Sequence, residues 1–125
     1  MLKLGVLISG SGSNLQAIID AIAQGTLDAS VELVISSRPD AYGLKRAQAA
    51  GIQTVALSRD VYADPHVANE AIAHELLAAG CDYVVMAGYM RMLGEEVLAA
   101  FPDRVLNLHP ALLPSFKGAH AIHDA

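Results

Sequence analysis

The sequence predicts an α/β fold: an open parallel sheet with helices on both faces. Three observations predict it. Apolar runs of strand length alternate along the chain with segments whose apolar residues fall at helical spacing. Those runs are apolar at successive residues rather than at every second one, as in strands buried on both faces. And the chain, at 125 residues, is 54% hydrophobic and only 17% charged, which suits a single core and not a disordered segment. No repeat, linker or low-complexity tract divides it, so residues 1–125 are read as one domain.

Leu4–Ile8 is the first strand. From Asn14 the apolar residues Leu15, Ile18, Ile19 and Ile22 share a helical face, and Gly25 is placed to stop that helix. Val31–Ile35 reads as a second strand, Ala41–Ala50 as an alanine-rich helix closed by Gly51, and Gln53–Leu57 as a shorter third strand. Val67–Ala79 gives another helix, ended by Gly80, with Glu70, His74, Glu75 and the neighbouring His66 expected on its solvated side. Tyr83–Ala87 is a fourth strand, Glu95–Ala100 a brief helix and Val105–His109 a fifth strand. Strands and helices in alternation pair in parallel through crossovers. Ala119–Ala125 reads as the first turns of a further helix, so the sheet is expected to be truncated at its carboxyl-terminal side. Such a sheet would expose an edge and an apolar face, which favours a homo-oligomer.

Charge and cysteine content narrow the function classes. A net charge of −5 lacks the basic face that nucleic acid requires. Met1–Ile8 is no secretory signal and no apolar run spans a bilayer, so a cytoplasmic protein without membrane contact is expected. The single cysteine, Cys81, excludes an internal disulfide and reads as a buried thiol rather than a nucleophile. His120 and His123 with Asp124 place two imidazoles on one helical face, but zinc asks for three or four ligands, so no metal is expected.

Two stretches carry chemistry. Ser9-Gly10-Ser11-Gly12-Ser13-Asn14 joins the first strand to the first helix. Its glycines let a ligand approach the backbone, Ser13 or Asn14 can cap the helix, and the free amides and dipole there favour phosphate. The same glycines would also serve a bare turn. A dinucleotide fingerprint needs a third glycine where Leu15 stands, although Ser36-Ser37-Arg38 would suit a 2′-phosphate. No Gly-Lys-Ser/Thr triplet is present, so a P-loop is excluded and a single phosphate, as on a ribose 5-phosphate, fits best.

The second stretch is Val105-Leu106-Asn107-Leu108-His109-Pro110-Ala111-Leu112-Leu113-Pro114. Alternation along a strand sends Asn107 and His109 to one face and Leu108 to the other. An amide donor and an imidazole at the carboxyl end of a strand suit the handling of an oxyanion and a proton, at the end where open parallel sheets bind ligands. A structural histidine satisfied by a backbone carbonyl would explain the same residues.

Gly10-Ser11-Gly12-Ser13-Asn14-Leu15-Gln16-Ala17-Ile18, Ala87-Gly88-Tyr89-Met90-Arg91-Met92-Leu93 and Asn107–Pro114, in this order and spacing, closely resemble the phosphoribosylglycinamide formyltransferase family of purine synthesis. The similarity runs over the whole chain, and the last motif is shared with the wider formyltransferase superfamily. The resemblance implies a Rossmann-like formyltransferase fold and transfer of formyl from 10-formyltetrahydrofolate to the amine of 5-phosphoribosylglycinamide, without a metal. It assigns the substrate phosphate to Gly12, Ser13 and Asn14. It places the folate along Met90, Arg91, Met92 and Leu93 and beside Asn107. It makes Asn107 and His109 the catalytic pair, the first for the oxyanion and the second for the proton.

Two departures from the family stand out. The aspartate that pairs with the histidine would lie beyond Ala125, and neither Asp103 nor Asp124 takes its place, so this chain alone is expected to be inactive or very weak. A folate-contacting arginine of some members aligns with Pro65, next to His66. Related alternatives are hydrolysis of the same folate to formate, which usually brings an N-terminal regulatory domain, and methionyl-tRNA formylation, which would want a basic surface. A non-catalytic phosphate-binding α/β module is the alternative from another class.

Overall fold

In the computed structural model, which describes residues 1–91 and 93–108, strand and helix alternate as β1 (Leu2–Ile8), α1 (Ser13–Ala23), β2 (Ala29–Ser36), α2 (Tyr42–Ala49), β3 (Thr54–Ala56), α3 (Arg59–Tyr62), α4 (Pro65–Ala78), β4 (Tyr83–Ala87), α5 (Glu95–Ala100) and β5 (Val105–Leu108). All four strand pairings are parallel and the sheet order is β3-β2-β1-β4-β5. The order reverses between β1 and β4, and such a switch point opens a crevice at the carboxyl ends of the strands.

The continuous apolar runs are explained by two cores, one on each face. Leu4, Val6 and Ile8 of β1, with Val34 of β2 and Val85 of β4, pack against Leu15 and Ile18 of α1 and Leu44 and Ala47 of α2. The intervening residues Leu7, Leu33, Ile35 and Val84 turn to the other face and meet Ile72 and Leu76 of α4 and Val97 of α5. On that face α4 presses close to β1: a Cβ at Gly5 would collide with Leu76 Cδ2 and lie 3.0 Å from Cys81 Sγ. The β1–β2 register shifts at the same place, between Leu4 and Gly5. Cys81 is buried, as expected of a structural thiol.

β4 and α5 have the bounds that the periodicity predicts, and α1, α2 and α4 stop at Gly25, Gly51 and Gly80. Other expectations are corrected. β1 starts at Leu2, two residues earlier, because Leu2 and Lys3 still pair with Ala29 and Ser30 at the sheet's exposed end. β3 is only three residues long. The helix expected from Val67 begins at Pro65, a residue whose fixed φ suits the first helical turn, and Asp64 Oδ1 caps it by accepting the His66 N–H at 3.0 Å. The single turn α3 was not expected; Ser58 caps it, accepting the Val61 N–H at 3.4 Å. His66, Glu70 and His74 are exposed and Glu75 is half-buried. His66 is not merely solvated, since its Nδ1 lies 2.7 Å from Glu96 Oε2 on α5. No helix among the described residues is long and apolar enough to cross a membrane. Met92, His109, the Pro110–Pro114 segment, His120, His123, Asp124 and the helix expected at Ala119–Ala125 lie outside the described residues.

Candidate active site

Between β1 and α1 the chain turns through Ser9–Gly12. Gly12 occupies the helix cap position with φ 77°, a left-handed conformation that costs any residue with a Cβ. The expectation that Ser13 or Asn14 caps α1 is therefore corrected: both are already helical, and no side chain makes a cap bond. The first backbone bond into the helix is Gln16 N–H to Gly12 O, at 2.8 Å. The N–H groups of Ser13, Asn14 and Leu15 have no backbone acceptor among the described residues, which is the arrangement that receives an anion. Asn14 is 3% exposed, yet its Oδ1 has no hydrogen-bond partner among the described residues. A buried amide in that state costs about 1–3 kcal/mol until something meets it. Ser9, Gly10, Ser11, Gly12, Ser13 and Asn14 form one wall of a cleft of 320 Å³, with Arg38, Ala87, Gly88 and Met90 opposite.

The loop is gripped from α2. Gly43 N–H donates to Gly10 O at 3.0 Å and Arg46 Nε donates to Ser11 O at 2.7 Å. The backbones come so close that a Cβ on Gly12 would sit 2.5 Å from Gly43 Cα. Sequence reasoning missed Gly43 and Arg46. The available signal was a glycine near the start of an otherwise alanine-rich helix, where it costs about 1 kcal/mol unless packing requires it.

A second loop, Gly88–Gly94, leaves β4 at the same end of the sheet. Met90 N–H donates to Ser9 Oγ at 2.7 Å, the Tyr89 and Tyr62 hydroxyls are 2.6 Å apart, and Gly94 N–H donates to Asn69 Oδ1 at 2.6 Å. Burial pushes both tyrosine hydroxyls above their ordinary pKa, so the pair stays protonated and hydrogen-bonded. Tyr89, whose sequence fitted either core or pocket wall, is both. It is buried in the α4–α5 core and borders a cleft of 540 Å³ with Met86, Met90, Arg91, Leu93, Leu98, Val105 and Asn107. Val105 and Asn107 face this cleft while Leu108 packs into the opposite core, the alternation expected of β5. Asp103 lies before the amino end of β5, in a left-handed turn (φ 60°), whereas Asn107 is near its carboxyl end. At Pro65 a smaller cleft is lined also by Tyr62 and Arg91, and the Arg91 guanidinium sits 4.4 Å over the Tyr62 ring.

The structure thus gathers Gly12, Ser13 and Asn14 on one cleft and Met90, Arg91, Leu93 and Asn107 on the next, with Met90 bordering both. Among the described residues no group of three His, Cys, Asp or Glu could hold a metal ion.

This sheet with its paired clefts is that of a formyl transferase: the formyl transferase family profile matches residues 2–125, and the chain belongs to that family. It is 40% identical over 124 residues to the phosphoribosylglycinamide formyltransferase of Escherichia coli (strain K12), covering 99% of this chain and 58% of that protein. It is 39% identical over 123 residues to the trifunctional purine biosynthetic protein adenosine-3 of Homo sapiens, covering 98% of this chain and 12% of that one. Among solved structures, glycinamide ribonucleotide transformylase 1 from Symbiobacterium toebii superposes with a TM-score of 0.84 at 48% identity, over 93% of this chain and 55% of that one. The protein of the same name from Geobacillus kaustophilus gives 0.84 at 38% identity, over 99% and 66%. The chain spans 58% and 59% of the length of its Escherichia coli and Haemophilus influenzae relatives.

Proposed function

We propose that the chain serves transfer of a formyl group from 10-formyltetrahydrofolate to the amine of 5-phosphoribosylglycinamide. The observation that carries this reading is the meeting of the two clefts at Met90, whose N–H is fixed by Ser9 at the edge of the glycine loop. A phosphate on Gly12, Ser13 and Asn14 would anchor the acceptor in one cleft. The folate would lie in the other, along Met90, Arg91, Met92 and Leu93 towards Asn107. The acceptor amine and the formyl carbon would then meet at the shared border, and holding both there removes much of the entropic cost of a bimolecular step.

The amine attacks the formyl carbon, a C–N bond forms, and the carbonyl electron pair moves onto oxygen. The Asn107 side-chain N–H would donate to that oxygen, a contribution of about 3 kcal/mol in comparable sites. Collapse restores the carbonyl and breaks the bond to the folate nitrogen. The proton lost by the amine replaces the formyl group on that nitrogen, and His109, whose role rests on the family resemblance, would carry it.

An acceptor comparison tests the reading. With the chain extended to the full length of its bacterial relatives, 10-formyltetrahydrofolate is supplied with glycinamide ribonucleotide, with initiator methionyl-tRNA or with water alone. Formylation of the ribonucleotide, lost in Asn107→Ala and His109→Ala, is expected; formate release without an amine acceptor would make the protein a hydrolase instead. Calorimetric binding of glycinamide ribonucleotide to the 125-residue chain tests the phosphate loop apart from turnover.

A further inference from the structure

Neither Gly43 nor Arg46 borders the 320 Å³ cleft, yet each takes a carbonyl of the glycine loop from behind. Gly43 N–H holds Gly10 O at 3.0 Å and Arg46 Nε holds Ser11 O at 2.7 Å, so both carbonyls are drawn towards α2. In a trans peptide the N–H points opposite to the C=O. The Ser11 and Gly12 N–H groups therefore face away from α2, towards the cleft that these two residues border. Neither has a backbone acceptor among the described residues. They extend the row of free donors formed by Ser13, Asn14 and Leu15, and successive N–H groups of this kind make a concavity for an anion.

The two holds differ in kind. The Gly10 carbonyl is fixed by main chain, and a Cβ on Gly43 would lie 3.0 Å from Gly12 Cα and 3.3 Å from Gly10 O. The Ser11–Gly12 peptide unit hangs on one side chain. Gly12 has no Cβ to resist rotation of that unit, and the rotated state would turn Ser11 O, a partial negative charge, into the cleft. Arg46 is itself held in place. Half-buried, it stacks 5.0 Å over the Tyr42 ring, and its Nη1 donates to Gln16 Oε1 at 3.4 Å. Gln16 Nε2 in turn donates to Asp20 Oδ1 at 2.9 Å. Among the described residues the Arg46 guanidinium meets no carboxylate, so its full charge polarises the Ser11–Gly12 peptide and strengthens the N–H on the far side.

We propose that Arg46 is a positioning residue of the glycine loop: by holding Ser11 O it keeps the Gly12 N–H turned into the cleft, where it donates to the bound phosphate. The inference rests on the reading of this loop as a phosphate site. It separates two tasks, because the close approach of Gly12 and Gly43 keeps the turn in place while Arg46 sets which way one of its peptides faces.

The 125-residue chain, labelled with 15N and 13C, is titrated with inorganic phosphate as the parent, as Arg46→Met and as Arg46→Lys. Methionine keeps an unbranched stem beside Gly12 and loses the donor, whereas lysine keeps a charge and a donor. The parent should show saturable shifts at the amides of Gly12, Ser13 and Asn14. Arg46→Met should move the Ser11 carbonyl signal before any phosphate is added and weaken phosphate about tenfold, the worth of one hydrogen bond to a charged group. Arg46→Lys should bring both readings back towards the parent. An Arg46→Met titration equal to the parent's would overturn the proposal, and so would weaker binding with an unmoved Ser11 carbonyl, the mark of charge alone; either leaves the phosphate site standing. Loop amides that ignore phosphate in the parent would overturn the site and the proposal together.

Discussion

The two loops that face each other across Met90 are held by opposite means. The Ser9–Gly12 turn is fixed chiefly by close backbone packing: Gly43 N–H on Gly10 O and two glycines so close that neither has room for a methyl group, with one side chain, Arg46, on Ser11 O. The Gly88–Gly94 loop is fixed by side chains distant in sequence, Ser9 of the first turn, Tyr62 of α3 and Asn69 of α4, which reach its backbone or its tyrosine. The first loop is therefore broken by adding atoms and the second by removing them. A tightly packed glycine turn beside a loop tied by single, replaceable hydrogen bonds would suit the proposed chemistry, in which a phosphate is anchored while the neighbouring ligand is admitted and released.

Gly12→Ala should have the largest effect. It forces a Cβ into a left-handed residue and to 2.5 Å from Gly43 Cα, with a loss of about 3 kcal/mol in denaturant unfolding. Asn69→Ala comes next. Its amide spans Pro65 O (2.8 Å) and Gly94 N, and it is 5% exposed, so about 2 kcal/mol should go and the second loop should loosen. Ser9→Ala should cost about 1 kcal/mol. Hydrogen exchange should speed up at Met90 and stay unchanged at Gln16, whose partner is the Gly12 carbonyl. Equal acceleration at both amides would show that the loops are not independently held.

The smallest effect is pH-dependent and lies outside both loops. The Glu96 carboxylate beside His66 raises the imidazole pKa above its ordinary 6.5, and the same hydrogen bond lowers Glu96 below 4.5. The His66 contribution is complete below pH 6.5 and fades as pH rises through the raised value. The Glu96 contribution is complete above pH 4.5 and fades as pH falls through the lowered one. The pair therefore steadies the α4–α5 contact most between pH 4.5 and 6.5, and His66→Gln should lower Tm slightly across that window and remove the pair's share of the decline on either side of it.

The same contrast explains how much was legible in the sequence. The glycine loop, β4, α5 and the helix-ending glycines announce themselves because each is decided by residues next to one another in the chain. The anchors of the second loop are not, since Ser9 and Met90 lie 81 positions apart and Asn69 and Gly94 lie 25 apart, and no local pattern marks them as partners. α3 escaped notice because four residues hold no periodicity, although Ser58 carried the cap signal. Asn107 was placed by alternation along β5 alone. Its partner in the proposed chemistry, His109, lies beyond the described residues.

The tight seam between β1 and α4 also makes a clock of the lone thiol. Burial first, then the nearby Glu32 and Asp82 carboxylates, pushes Cys81 up to about 11, so at neutral pH it carries almost no reactive thiolate. An alkylating reagent can reach it only when α4 lifts from the sheet at Gly5. Its labelling rate therefore counts how often the layer beneath the second loop opens, and a ligand that closes that layer will slow the count.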